Sequence, residues 1–356
     1  MNLPFEKVYF IRFRFGGGAT MQCFQPFLAC RSMGVDSHVL SIEELRARIS
    51  TVKNSAIFVF KDRIEQDLID KLRNNGNIIA RYAGDGGLEI HKSYHRSIKG
   101  MHGVIVGTHP FSKELDGING IKSRVIPSNH DYFLDSNNHK IERDSQFRLY
   151  FGGAKSTEGL AQGDLGLPED AEYAEGYFNS LNYLLTDLKR ASSEEQERYV
   201  LDFIATGKCR ENKRQIDLDT SPTRFSCHYA VRAPFYTKSY SDKTKFVYDQ
   251  WITKTGGKVS TAAACGANIV TSLDPSVRVL IDESYPYAID TETEEFKENY
   301  NQICQEMIVK ARETFGRKTW FDGLKILEDV KNRTTTHRIT LDFIEFFKEL
   351  HETEGR

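Results

Sequence analysis

Long apolar runs are missing from this sequence. No stretch of its 356 residues approaches the ~18 apolar residues of a membrane-spanning helix, so no transmembrane segment is expected, and only peripheral contact with a membrane stays open. The first residues, Met1-Asn2-Leu3-Pro4-Phe5-Glu6-Lys7, place no basic segment ahead of an apolar run, which argues against a secretory signal. An excess of either charge is missing as well. Lys and Arg total 48 against 50 for Asp and Glu, a net charge of -2. That leaves no broad basic field for a nucleic-acid backbone or an anionic membrane, so any phosphate has to be held by a local site. Paired cysteines are also absent: Cys23, Cys30, Cys209, Cys227, Cys265 and Cys304 are scattered without a Cys-x-x-Cys, and a chain of this length needs no disulfide staples. A reducing cytoplasm is the expected setting.

What the sequence does contain is material for large cores. Hydrophobic residues make up 39%, with 23 Phe and 16 Tyr, which excludes a disordered or fibrous chain. At ~150 residues per domain the length suggests about two domains. The first half alternates strand-like runs with helical spacing. Val8 to Ile11 reads as a strand, Gly16-Gly17-Gly18 as a turn and Met21 to Ser32 as a helix. His38 to Leu40 is a second strand, and Ser41-Ile42-Glu43-Glu44 has the Ser-x-x-Glu spacing of a capping box. Ala56 to Phe60, Ile78 to Tyr82, Val104 to Val106 and Arg124 to Ile126 complete the set, with a helix carrying Ile64, Leu68, Ile69 and Leu72 and ended by Gly76. Strands separated by helices imply crossovers in a doubly wound parallel sheet.

Pro127 to Asp144 is polar and reads as a linker. A second α/β unit then begins with Arg148 to Phe151, whose continuation Gly152-Gly153-Ala154 echoes the first glycine turn. Tyr177 to Leu188 and Glu194 to Ile204 look helical, Phe225 to Val231 and Asn268 to Ser272 strand-like, and Val259 to Cys265 helical with Gly266 as its stop. Phe296, Tyr300, Ile303, Met307, Ala311 and Phe315 recur at helical period, and two more helices are expected around Phe321 to Val330 and Thr340 to Leu350.

The stretch Gly257-Lys258-Val259-Ser260-Thr261-Ala262-Ala263-Ala264-Cys265-Gly266 carries the most chemistry. A lysine and two hydroxyls open a helix of small residues, and backbone amides at such a start make an anion pocket suited to a diphosphate. The same residues also suit a tightly packed alanine-rich helix with a solvent-facing lysine. With Ala267, Ile269 and Val270 following, the stretch resembles the donor-site helix of GT-B glycosyltransferases, in particular the retaining group related to family 4, where a small-residue helix ending in Cys-Gly-x-Pro precedes a strand. The resemblance implies two Rossmann-like domains facing a cleft, a nucleotide-sugar donor held mostly by the C-terminal domain, no bound metal and no further cofactor. The hinge-like run Ile126 to Asp131 and the terminal helices sit where that fold would put them. Two departures stand out. The family brackets this helix with glutamates eight positions apart, the second commonly holding the ribose, and here those positions are Thr253 and Thr261; Asn268 replaces the usual proline.

Other residues complete the expected site. Gly17 and Gly18 on one side, and Gly153 with Lys155 on the other, would let backbone approach a ligand closely, although the first run is no full Gly-x-Gly-x-x-Gly, its sixth position being Met21. Arg232 and Lys238 could join Lys258 in neutralising a leaving diphosphate, with Ser260 and Thr261 capping it. Asp85 and Glu89, among glycines after the fourth strand, could serve as base or as a carboxylate facing charge at a sugar carbon; an ordinary Asp-Gly turn fits them as well. His91 and His95 lack a third ligand of fitting spacing, and Asp217-Leu218-Asp219 is a DxD that the fold would not place there. Cys227 and His228 are strand neighbours and point to opposite faces. Ser284-Tyr285-Pro286-Tyr287 offers either a stacking face near the cleft or packing against the last helices.

These readings converge on an α/β chain of two Rossmann-like domains in a GT-B-like arrangement: residues 1–135 on the acceptor side, 145–330 binding the donor, and 331–356 as a helix packing back toward the first domain. The expected activity is sugar transfer from a nucleotide-sugar donor to a glycan or glycolipid acceptor. A catalytically silent glycan-binding or regulatory protein and a nucleotide-sugar epimerase of the same fold are the alternatives.

Overall fold

The computed structural model describes residues 2–13, 15–61, 64–83, 98–116, 121–134, 146–153, 172–175, 181, 184–206, 225–234, 251–252 and 255–355. Its first sheet contains Val8–Arg12 (β1), Ser37–Ser41 (β2), Ala56–Phe60 (β3), Ile78–Ala83 (β4), Gly103–Val106 (β5) and Lys122–Val125 (β6). They lie in the order β2-β1-β3-β4-β5-β6, with every neighbouring pair parallel. The second sheet contains Leu149–Gly153 (β7), Glu172–Glu175 (β8), Cys227–Ala230 (β9), Asn268–Ser272 (β10) and Ala288–Ile289 (β11). Its order is β11-β10-β9-β7-β8, again all parallel.

Strands covered on both faces read as continuous apolar runs, and β3, Ala-Ile-Phe-Val-Phe, is buried throughout. Alternation sends Phe10, Phe58 and Phe60 into one core and Ile11, Ile57 and Val59 into another. After β1 the chain forms Gly17–Ala19 (α1), a π turn at Thr20–Phe24 and Gln25–Ser32 (α2), so the helix begins ahead of Met21 and contains one widened turn. Ile42–Ala47 (α3) follows the expected capping box: the Ser41 amide donates to Glu44 Oε2 at 2.7 Å and the Glu44 amide to Ser41 Oγ at 3.2 Å. Gln66–Asn74 (α4) precedes Gly76, which stands at φ +77°, a left-handed position that glycine takes without strain. His109–Asp116 (α5) was not legible in the sequence, because only Phe111 and Leu115 mark its buried face.

The remaining helices are Ser193–Thr206 (α6), Gly257–Ala264 (α7), Glu294–Thr314 (α8), Lys318–Arg333 (α9) and Thr336–Thr353 (α10). Helices α7, α8 and α9 share a core with β7, β9 and β10. Two pieces of the second half of the chain join the first sheet instead. Ile339, Phe343, Phe346 and Phe347 of α10 enter the core of Phe10 and Phe58, with the Phe58 and Phe343 rings 5.0 Å apart. Tyr199 and Val200 of α6, with Leu181, Leu184 and Leu185, enter it too. Polar bonds seat α6: Arg12 Nη2 donates to Gln196 Oε1 at 2.8 Å and to Ser193 Oγ at 3.2 Å, the Ser193 amide donates to Glu44 Oε1 at 2.8 Å, and the Val39 amide donates to Glu197 Oε1.

The polar run after β6 departs from a solvated linker. Ser128, Asn129, His130 and Asp131 are buried and tied to neighbours. Asn129 Nδ2 donates to Gln25 Oε1 at 2.9 Å and Thr336 Oγ1 at 3.2 Å, the His130 amide to the Thr334 carbonyl at 3.1 Å, and Gln25 Nε2 to Asp131 Oδ2 at 3.0 Å. Buried polar groups hold because each finds a partner. Here the network ties the run after β6 to α2 of the first lobe and to the passage between α9 and α10.

Candidate functional site

The amino end of α7 lies at the carboxyl edge of the second sheet, because α7 runs back from beyond β9 to the start of parallel β10. That end also touches the first lobe. Ser260 Oγ donates to the Ser128 carbonyl at 2.9 Å and Thr108 Oγ1 to the Ile252 carbonyl. Ser128 follows β6 and Thr108 follows β5, so the carboxyl edges of the two sheets face each other. Ligands of parallel α/β sheets gather at that edge.

Packing fixes where α7 begins. A Cβ on Gly256 would lie 2.9 Å from the Ser276 carbonyl oxygen and 2.9 Å from Leu280 Cδ1, so only glycine fits there. The Val259 and Ser260 amides both donate to the Gly256 carbonyl, at 2.9 and 3.3 Å, and the amides ahead of them lie outside the helix's own ladder. Val259 through Ala264 are all buried, with Ala264 and Cys265 against Leu134; small side chains let this helix be enclosed on every side. Asn268 is a packing node: its Nδ2 donates to the Trp320 carbonyl at 3.0 Å and its Oδ1 accepts from Tyr285 Oη at 3.1 Å. Tyr287 Oη pairs with Thr314 Oγ1 at 2.7 Å and its ring leans on Trp320. The tyrosines at 285 and 287 therefore pack against the last helices and offer no stacking face to a ligand.

Lys258 keeps part of its surface in solvent, but its ammonium sits 4.7 Å from the centroid of the Phe151 ring, and burial lowers its pKa to about 8. Desolvation disfavours the charged amine, and a cation over a ring face is partly compensated. Phe151 belongs to β7, which ends in Gly153, so Gly153 and Lys258 share the edge. Arg232, just past β9, joins them: its Nη2 donates to the Thr255 carbonyl at 3.3 Å and its Nε lies 3.5 Å from Asp274 Oδ2. The hydroxyls behave differently from the expectation. Ser260 Oγ donates to the Ser128 carbonyl and Thr261 Oγ1 to the Gly257 carbonyl, at 2.9 Å each. A hydroxyl has one proton, so neither donates outward in this arrangement.

Gly17 and Gly18 stand on the other lobe, in the first turn after β1. A Cβ on Gly16 would meet nothing within 4 Å, whereas one on Gly18 would lie 3.0 Å from the Phe60 ring; Gly18 is the position that packing restricts. The π turn that follows carries Gln22, which is buried with its Oε1 lacking a donor among the described residues, and such turns are frequent at functional sites. Asp85, Glu89, His91, His95, Lys155, Asp217, Asp219, Lys238 and Thr253 lie outside the described residues. Cys227 faces the core of α7 and α8 while His228 lies against Tyr150, the ring centroids 4.8 Å apart and the planes tilted by 58°, opposite faces as adjacency dictates. Sequence reasoning took Ser128 only as part of the hinge-like run and gave no site role to Ser272 or Asp274. The Asp274-Pro275-Ser276 turn signature was the one visible sign of the last.

No protein-family model matches the sequence, and no curated protein matches it. Among solved structures, HepE from Anabaena in complex with UDP and glucose is 10% identical, with a TM-score of 0.57 over 97% of this chain and 100% of that one. The same protein with UDP-glucose gives 11% identity and a TM-score of 0.56 over 96% and 99%. Likeness at that identity is likeness of fold: with its two facing parallel sheets and returning C-terminal helix, this chain is a divergent example of the two-lobed GT-B fold.

Proposed function

We propose that the protein is a glycosyltransferase that takes a sugar from a nucleotide-sugar donor and passes it to a glycan or glycolipid acceptor, in the assembly of a polysaccharide or glycolipid. One observation carries this reading: Arg232, Lys258 and the open end of α7 meet at one sheet edge that faces the other lobe. Transfer from a nucleotide sugar leaves negative charge on the diphosphate, and fixed donors aimed at that charge are the usual source of rate. Arg232 offers a planar fork and Lys258 a point charge. In this proposal the Gly257 and Lys258 amides take the part first given to the Ser260 and Thr261 hydroxyls, Lys155 and Lys238 add further cations, and Asp85 or Glu89 serves the sugar carbon. Residues 1–135 bear the acceptor and 145–330 the donor, apart from the stretch around α6. The whole-chain likeness to a protein solved with UDP and glucose supports UDP as the first nucleotide to try.

The two cations supply the charge that a metal would otherwise bring, so chelation is expected to leave transfer unchanged. Retention of configuration belongs to the proposal. A panel of nucleoside diphosphates read by thermal shift tests it: a ligand that binds the folded state raises the melting temperature by mass action. The reading fails if none does so and Lys258→Ala leaves transfer unaltered. A silent binding protein is the second reading, favoured by Thr261, whose hydroxyl turns back to its own helix at the position of the family's ribose-holding glutamate. Hydrolysis of any nucleotide sugar, even slow, excludes it.

A further inference from the structure

We propose that Asp274, acting with Ser272, positions Arg232 so that one end of its guanidinium is presented to a phosphate group; this rests on the donor-site reading above. Asp274 is fully buried, and its two carboxylate oxygens do separate work. Oδ1 caps the turn that follows β10, accepting from the Ser276 amide at 3.0 Å, Ser276 Oγ at 2.5 Å and the Val277 amide at 3.1 Å. An asparagine or serine would cap such a turn equally well. Oδ2 takes no part in the cap. It accepts from Ser272 Oγ at 3.3 Å and faces Arg232 Nε at 3.5 Å.

The ring closes through the main chain, because the Arg232 amide donates to Ser272 Oγ at 3.1 Å. Backbone and side chain of Arg232 are thus both tied to the end of the next strand, and Nη2 is tied to the Thr255 carbonyl at 3.3 Å. A guanidinium is planar, so fixing Nε and one Nη2 proton fixes the direction of the remaining protons. Those on Nη1 meet no acceptor among the described residues, and the Arg232 side chain keeps 17% exposure where that of Asp274 keeps 0%. A buried carboxylate is costly unless a cation answers it, and here the answering cation remains at the sheet edge beside the start of α7. Holding the fork in place before binding removes the ordering cost that a free arginine would bring to an anion.

Titrations of UDP and of uridine, followed by ligand-observed NMR, separate this role from a structural one. Asp274→Asn is expected to weaken UDP binding about tenfold, the scale of one weakened hydrogen bond to a charged group, and to leave uridine binding unchanged, since uridine has no phosphate to meet Arg232. Ser276→Ala, which touches the cap alone, is expected to lower the melting temperature and leave UDP affinity unchanged. If Asp274→Asn does not fold, Ser272→Ala decides, with a several-fold loss for UDP alone. Wild-type UDP affinity in both Asp274→Asn and Ser272→Ala overturns the proposal, as does loss of UDP and uridine in equal proportion. A wild-type protein that binds no nucleoside diphosphate overturns the donor-site reading itself, and this inference with it.

Discussion

Lys258 titrates where small changes of pH alter its charge. Burial lowers its pKa from 10.5 to about 8, so it is mostly protonated at pH 7 and loses its charge as the pH rises through about 8. Affinity for a nucleoside diphosphate is therefore expected to fall between pH 7 and 9, and Lys258→Arg, charged throughout, to flatten that dependence; titration calorimetry at several pH values reads both. Stability without ligand moves the other way. The unfolded chain binds more protons than the folded one between about pH 8 and 10.5, so this residue's destabilising effect is full below pH 8 and is relieved as pH rises through that window. The neighbouring glycines separate at the same scale. Gly256→Ala drives a Cβ against a backbone carbonyl, while Gly257→Ala would place one 3.6 Å from Ser128 Cβ, an ordinary contact. Denaturant unfolding is expected to show a loss of about 1–3 kcal/mol for the first, as overpacking costs, and little change for the second.

At the scale of elements, α7 was legible because its signals agree: glycines at its start, small residues throughout, and Gly266, which stands at φ +65°, before an apolar strand. The roles of its hydroxyls were not, since the acceptor of Ser260 lies 132 positions away in the chain and no local pattern encodes it. The run after β6 was read as a polar linker for the same reason. Polarity there marks a buried network whose partners, Gln25, Thr334 and Thr336, come from distant helices. Asn129→Leu would take from buried Gln22 Nε2 its acceptor at 3.4 Å and remove one of the two hydrogen bonds at Gln25 Oε1 and at the His130 carbonyl. A loss of about 1–3 kcal/mol is expected, the cost of a buried group left unsatisfied, again by denaturant unfolding. Helix α6 was legible as a helix and not as part of the first lobe, because Arg12 and Glu197 look like ordinary surface charges in the sequence, and Glu44, legible as a capping-box residue, gives no local sign of its second bond, to Ser193.

At the scale of the whole molecule, the alternation of strands and helices sufficed for two parallel sheets, and the returning α10 completes the first of them. What alternation could not supply is their mutual placement, which the buried hinge around Asn129 and His130 and the contacts of Thr108 and Ser260 provide. That placement puts Arg232 and Lys258 on a sheet edge that faces the first lobe, whose own carboxyl edge carries Gly17 and Gly18 after β1. The near balance of charge over the chain is consistent with phosphate recognition by a few local side chains, since no wider basic field exists to do it. The central claim is that this local set holds the donor's diphosphate, and a crystal structure of the protein soaked with UDP tests it most directly. The account predicts the phosphates within hydrogen-bonding distance of the Arg232 guanidinium and the Lys258 ammonium, at the start of α7; a diphosphate seated on the other lobe, with both side chains left unengaged, would contradict it.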